Sequence, residues 1–259
     1  MKSVIARINE IWQPRGGYIK PSILTPRDYR DGKALCEEEN IHATVVGLAV
    51  DYMTRFLLDG DRDQAFDISK KGAMIAESMT RRRIMPKFYE LESGISGTDD
   101  QSIVNACKLA TFDVWYRNPT AALMAKPAEE TSPDQETTRN IRIMLERSTE
   151  FLYRHGPVVD VGFTFDPDGY TRAVSSGDGD YLTADTIWEL KVTKKKPSKK
   201  YTLQLLMYWI MGQHSGKEEF NGITTLGLFN PRLNIAYTLR VDQIPAETIE
   251  TIEREVLCY

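Results

Sequence analysis

Residues 178–192 constrain this chain most, because polar and apolar side chains alternate there in two short runs split by the small turn Ala184-Asp185. In the second run Trp188, Leu190 and Val192 share one face and Ile187, Glu189 and Lys191 the other, the period of a strand. If the turn has two residues, counting gives the register. Leu182 faces Ile187, Tyr181 faces Trp188, Asp180 faces Glu189 and Asp178 faces Lys191. Directly opposed side chains have Cβ atoms about 4.5–5.5 Å apart, and like charges placed so are destabilising. Asp180 opposite Glu189 therefore asks for a cation, and a hard divalent ion with oxygen ligands answers that need. Lys191 lies two residues along the same face, about 6.6 Å away by strand rise, within reach of a water or a phosphate oxygen. Taken alone, Glu189-Leu190-Lys191 more often marks a solvent-facing hairpin.

The next segment changes that balance. Tyr201 to Met211 is apolar nearly all round, the mark of a buried helix. Gln204 and Tyr208 are four apart and share one face of it. A buried Gln needs hydrogen-bond partners. An amide and a phenol on one face suit gripping a backbone phosphate, or holding the lysine and a metal-bound water in place. Between the strand and this helix stand Lys194, Lys195, Lys196, Lys199 and Lys200. The chain has 33 Lys+Arg against 37 Asp+Glu, a formal charge of −4, so basicity is local rather than general. Clustered lysines can hold phosphates by releasing counterions, although such runs are usually solubilising loops. Arg81-Arg82-Arg83 is a second basic run that the sequence cannot place.

An upstream helix is expected over His42 to Leu58, apolar nearly all round from Val45 to Met53 apart from Asp51. Buried charges are normally paired or bind metal. Asp51 is thus either a third metal ligand or the helical partner of Arg55, four residues on. Both readings stand. Glu37, Glu38 and Glu39 read as a solvated face.

Gly177-Asp178-Gly179-Asp180, then Glu189-Leu190-Lys191, then Gln204 to Tyr208, together resemble the PD-(D/E)xK nuclease superfamily and its RecB-like, phage-type exonuclease branch. The resemblance covers about residues 157–259 with one upstream helix. It implies an α/β (α+β) fold with a restriction-endonuclease-like core of one helix, three strands, a helix and a strand, here with an N-terminal helical extension. It implies hydrolysis of DNA phosphodiesters with Mg²⁺ or Mn²⁺, in the manner of an exonuclease. Asp180, Glu189, Lys191, Gln204 and Tyr208 would be catalytic, with Asp180, Glu189 and Asp51 at the metal. Lys194, Lys195, Lys196, Lys199 and Lys200 would meet the nucleic acid, with RNA left open as a substrate. Gly47-x-x-x-Asp51 stands where RecB-like relatives often show Gly-x-x-x-His. The rival expectation is a protein that keeps the fold to bind nucleic acid or a partner without cleaving.

Helices are expected near 41–58, 62–79, 99–116 and 134–154, with Thr98 and Ser132-Pro133 marking two of the starts. Strands are expected at 158–165, 170–175, 178–183, 186–192, 222–229 and 234–241, and a last helix at 245–256. The N-terminal stretch, rich in Pro and Gly, and the Pro-bearing stretch 117–133 read as loop and linker. The whole reads as one domain, 1–259, mostly helical to 156 and sheet-containing from 157. Without a secretory h-region or an apolar run of 18 residues, a cytoplasmic protein with no membrane partner is expected. Cys36, Cys107 and Cys258 are too few for a four-cysteine iron–sulfur cluster. His42, His155 and His214 show no metal-ligand spacing, and Gly212 to Lys217 lacks the spacing of a phosphate loop. Homo-oligomerisation is left open.

Overall fold

The computed structural model describes residues 2–259. In chain order the elements are α1 (Val4–Glu10), β1 (Thr25–Asp28), α2 (Ala43–Asp59), α3 (Arg62–Ala65), α4 (Asp67–Thr80) and α5 (Met85–Ser93). These are followed by α6 (Asp100–Ala110), α7 (Asp113–Arg117), α8 (Pro119–Ala122), α9 (Gln135–His155), β2 (Val158–Val161), β3 (Tyr181–Thr183) and β4 (Thr186–Leu190). The chain closes with α10 (Lys199–His214), β5 (Thr225–Asn230), β6 (Ile235–Arg240) and α11 (Ala246–Thr251), the last continuing into a π-helical turn, Ile252–Leu257. The class is α+β.

Two compact units share these elements. One joins the residues up to Asp31 to Phe151–Tyr259, and the other is Gly32–Glu150.

The first unit holds a six-stranded mixed sheet in the order β1-β6-β5-β4-β3-β2. Every pairing is antiparallel except β4 with β5, which run parallel because α10 provides the crossover. Tyr181 pairs with Trp188 and Leu182 with Ile187, the register that counting through Ala184-Asp185 gives. All five residues of β4 are buried, as expected of a central strand covered on both faces. On one face Ile187, Leu182, Leu226 and Leu228 meet Leu203, Leu206, Met207 and Ile210 of α10. On the other, Trp188 packs edge-on to Phe151, which stacks on Phe229 at 3.9 Å, with Tyr29 and His155 completing the aromatic layer. Trp188 also lies over Gly227, its neighbour on β5, where a Cβ would come within 2.3 Å of the indole.

The second unit is helical. Residues 62–79 form two helices rather than one, broken at the fully buried Phe66. Residues 99–116 likewise break at Thr111-Phe112. The expected starts at Thr98 and Ser132 are displaced onto carboxylates. Asp99 accepts from the Ser102 amide at 3.0 Å, and Asp134 from the Thr137 amide at 2.8 Å. A charged acceptor at an N-cap satisfies an orphan amide and complements the helix dipole. The stretch 117–133 contains α8 and a 3₁₀ turn, so it is not a bare linker.

Two other expectations change in the sheet unit. Residues 170–175 form no strand, because Thr171 Oγ1 accepts from the Ala173 and Val174 amides and closes a local turn. The N-terminal stretch contains α1, capped by Ser3 and buried through Val4 and Ile8. It also supplies β1, an edge strand of exposed residues that includes Pro26. Among the described residues, no helix is long and apolar enough to cross a membrane.

Candidate active site

The site is built where β3, β4 and α10 meet. Strand alternation turns Glu189 toward α10 while Trp188 and Leu190 face away, so a carboxylate enters the interface at 4 % exposure. Burial of such a charge requires partners. Gln204 Nε2 donates to Glu189 Oε1 at 2.8 Å, and Lys191 Nζ closes an ion pair with the same oxygen. Gln204 Nε2 also donates to Tyr208 Oη at 2.9 Å, the i,i+4 neighbour on α10. Tyr208 in turn donates to the Asp178 carbonyl at 2.7 Å. One network thus ties β4, α10 and the Gly177–Asp180 loop together.

Asp180 enters from that loop. Its Oδ2 accepts from the Leu190 amide at 2.7 Å, while its own carbonyl accepts from Gly162 N at 2.8 Å. The loop also needs Gly179, where a Cβ would come within 1.9 Å of the Phe163 ring. Asp180 therefore sits across from Glu189, one step beyond the Tyr181–Trp188 pair.

Charges reflect how closely these groups gather. Burial pushes the Lys191 ammonium toward deprotonation, but the carboxylates of Glu189 and Asp180 outweigh it and raise its pKa above the usual lysine value. Lys191 therefore stays cationic, its side chain 23 % exposed and its Nζ 5.5 Å from the centre of the Tyr201 ring. Burial, then Glu189 and Asp178, holds the Tyr208 phenol well above its ordinary pKa, so it remains a hydrogen-bond donor.

Two sequence readings are refined. The cation paired with Glu189 here is Lys191 itself, and the Asp180 charge acts on it as well. Gln204 and Tyr208, both 3 % exposed and donating within the protein, brace the carboxylate and the acidic loop. They do not reach outward to grip a phosphate.

The donor set fits a hard divalent ion. Asp180 and Glu189 offer carboxylate oxygens and no sulfur or imidazole joins them, a combination that suits Mg²⁺ or Mn²⁺ over Zn²⁺. Among the described residues, no three His, Cys, Asp or Glu side chains form a metal cage. A Mg²⁺ held by one or two carboxylates completes its shell with water and substrate phosphate. Asp51 belongs to the helical unit and pairs with Arg55, Oδ1 to Nε and Oδ2 to Nη2 both at 3.1 Å. Of its two readings, the helical ion pair is the one present.

Lys194, Lys195, Lys196 and Lys200 are exposed and Lys199 is partly so, on the segment that leads from Lys191 into α10. Lys200 Nζ donates to Asn9 Oδ1 at 2.6 Å, which joins the run to the end of α1. The start of α1 borders the acidic loop, since Val4 N donates to the Ser176 carbonyl at 3.2 Å. Sequence reasoning missed this helix. Its signals were Ser3 as a cap and the i,i+4 pair Val4 and Ile8, too short a pattern to stand out. The basic run Arg81-Arg82-Arg83 lies in the helical unit. No protein-family model, no curated protein and no solved structure matches this chain.

Proposed function

We propose that the protein is a divalent-metal-dependent nuclease of the PD-(D/E)xK superfamily, close to its RecB-like, phage-type exonuclease branch, and that it hydrolyses DNA phosphodiester bonds. One observation carries the reading. A buried Glu189, fixed by Gln204 and Lys191, faces Asp180 across a hairpin whose outlet is a run of five lysines. The order β2, β3, β4, α10, β5 is the strand–strand–strand–helix–strand order that such a core would have, and it supports the same reading.

In this scheme Asp180 and Glu189 hold Mg²⁺ or Mn²⁺, which when bound lowers the pKa of a water and offsets charge on the phosphate. Lys191 lies beside both acids and stabilises the negative charge that grows on the phosphate oxygens. Lys191, paired with Glu189 and 23 % exposed, would offer its charge to the substrate phosphate from beside that carboxylate. Gln204 keeps Glu189 in one rotamer, and Tyr208 keeps the acidic loop at its distance, so the reacting groups are preorganised. Lys194 to Lys200 hold the backbone without reading sequence.

The Glu189–Lys191 ion pair also suits a second reading, in which the site is purely structural and the lysines bind nucleic acid without cleavage. Labelled linear and circular DNA, incubated with Mg²⁺ or Mn²⁺ against an EDTA control, separates the two. The nuclease reading expects metal-dependent digestion that Asp180→Ala removes. DNA that is bound yet stays intact at all metal concentrations establishes the second. Preference for linear over circular DNA would mark an exonuclease.

A further inference from the structure

Trp12 is 81 % exposed, a large apolar surface left in water. Its neighbours are held rather than loose. Before it, α1 is tied to the acidic loop at Ser176 and, through Asn9, to Lys200. After it, Pro14 to Gly17 form a tight turn, with Gly17 N donating to the Pro14 carbonyl at 2.8 Å. Gly16 and Gly17 sit at φ +90° and +91°, backbone that L side chains rarely adopt. A Cβ at Gly17 would come within 2.6 Å of Lys199 Cβ, so this turn lies directly on the first residue of α10. Thr202 Oγ1 then donates to the Ile19 carbonyl at 2.8 Å and fixes the exit.

The backbone that carries Trp12 is thus held at both sides against Lys199 and Lys200, the last two lysines of the run. Arg15 and Lys20 on the same segment are exposed cations. The one acid next to it in sequence, Glu10, is taken up by Lys2 at 2.6 Å and Arg7 at 3.8 Å. From this edge the path inward runs from Lys200 to Tyr201, whose ring faces Lys191 Nζ at 5.5 Å. An aromatic face set in a band of positive charge is the pairing that holds unpaired bases and their phosphates together. A duplex keeps its bases stacked on each other and offers such an indole nothing to stack on.

We propose that Trp12 is a base-stacking platform for single-stranded DNA, and that the strand reaching Lys191 is unpaired. The inference rests on the nuclease reading of the site and names its substrate as a single strand or a frayed end.

The test measures binding in EDTA, so that it does not depend on cleavage. Titration with short oligo(dT) should quench tryptophan fluorescence, and Trp12→Ala should remove that quench. The same variant should bind oligo(dT) about 5- to 150-fold more weakly, since one stacked base is worth about 1–3 kcal/mol at about 1.4 kcal/mol per tenfold. Blunt duplex of equal length should be bound much as by wild type, and Trp12→Phe should retain most of the oligo(dT) affinity. Replacing Lys195, Lys196 and Lys199 by Gln should flatten the log–log salt slope by roughly 0.7 for each phosphate no longer neutralised. Unchanged oligo(dT) affinity in Trp12→Ala overturns the proposal, as do equal losses on single strand and duplex, or a wild type that binds neither. So does a Trp12→Ala variant whose only change is in self-association by sedimentation. A protein that stacks oligo(dT) through Trp12 yet digests nothing with Mg²⁺ or Mn²⁺ keeps the platform and refutes the nuclease.

Discussion

Two buried carboxylates, one in each unit, differ in what holds them. Asp113 is 1 % exposed and Glu189 4 %. Asp113 accepts from Ser69 Oγ at 2.6 Å and from the Tyr52 hydroxyl, with Arg117 Nε at 3.5 Å. Burial nevertheless raises its pKa, outweighing Arg117 and both hydroxyls. Glu189 is held instead by an amide and an ammonium, and that ammonium feels a second carboxylate, Asp180. Burial is therefore common to both and diagnostic of neither. The difference is a buried ion pair with a second acid close enough to act on its lysine, an arrangement whose desolvation offsets much of its attraction.

The contrast breaks first on Lys191. Lys191→Ala should cut single-turnover cleavage by about 10²–10³-fold, the loss typical of removing one preorganised group that stabilises developing charge. Cleavage at the wild-type rate would end the assignment of Glu189-Leu190-Lys191 as the catalytic strand.

Asp113→Ala should do the opposite. Activity per folded molecule is expected to hold, while stability falls by about 1–3 kcal/mol for each hydroxyl left unpaired in the interior. Urea denaturation reads this directly, and an unmoved midpoint would deny the network its structural part.

Metal sharpens the comparison further. Mn²⁺ at ten times its dissociation constant should stabilise the protein by about 1.4 kcal/mol, a rise of roughly 2–4 °C per kcal/mol in melting temperature. Asp180→Asn should lose the rise, whereas Asp51→Ala should keep it while lowering stability, because it leaves the partly buried Arg55 guanidinium without its helical carboxylate. A thermal shift abolished by Asp51→Ala would restore Asp51 as a ligand.

The smallest effect belongs to His155, packed against Phe151 with its Nε2 2.6 Å from the Tyr29 hydroxyl. Burial, then Arg27, lowers its pKa below the ordinary 6.5. The folded state thus binds fewer protons than the unfolded one as pH falls below about 6.5, so stability declines through that window and levels off below the folded pKa. His155→Gln should flatten this slope in melting curves between neutral and mildly acid pH. A wild-type curve with no slope there would place the imidazole in water.

Much of the site was legible because it is local. A two-residue turn and a period of two placed Tyr181 on Trp188 and Leu182 on Ile187, and a period of 3.6 placed Gln204 beside Tyr208. Neither needs knowledge of distant residues. The strand expected at 170–175 failed because one hydroxyl, Thr171 Oγ1, offered the backbone a competing turn. The breaks at Phe66 and Thr111-Phe112 escaped notice because the helical periodicity runs on through both.

By itself, then, the sequence determined the hairpin register, the buried helix that follows it, and the pairing of an acid with a lysine two residues on. Those features depend on backbone periodicity and on side chains a few residues apart. Tertiary structure alone decided that the cation paired with Glu189 is Lys191 itself and that Gln204 turns inward to Glu189. It also decided that an unpromising N-terminal stretch becomes a docked helix with Trp12 at its end. The docking of that helix rests on residues far apart in sequence meeting in space, such as Lys200 with Asn9 or Gly17 with Lys199. Such meetings leave no periodic trace in the chain, because packing, rather than spacing, brings the partners together.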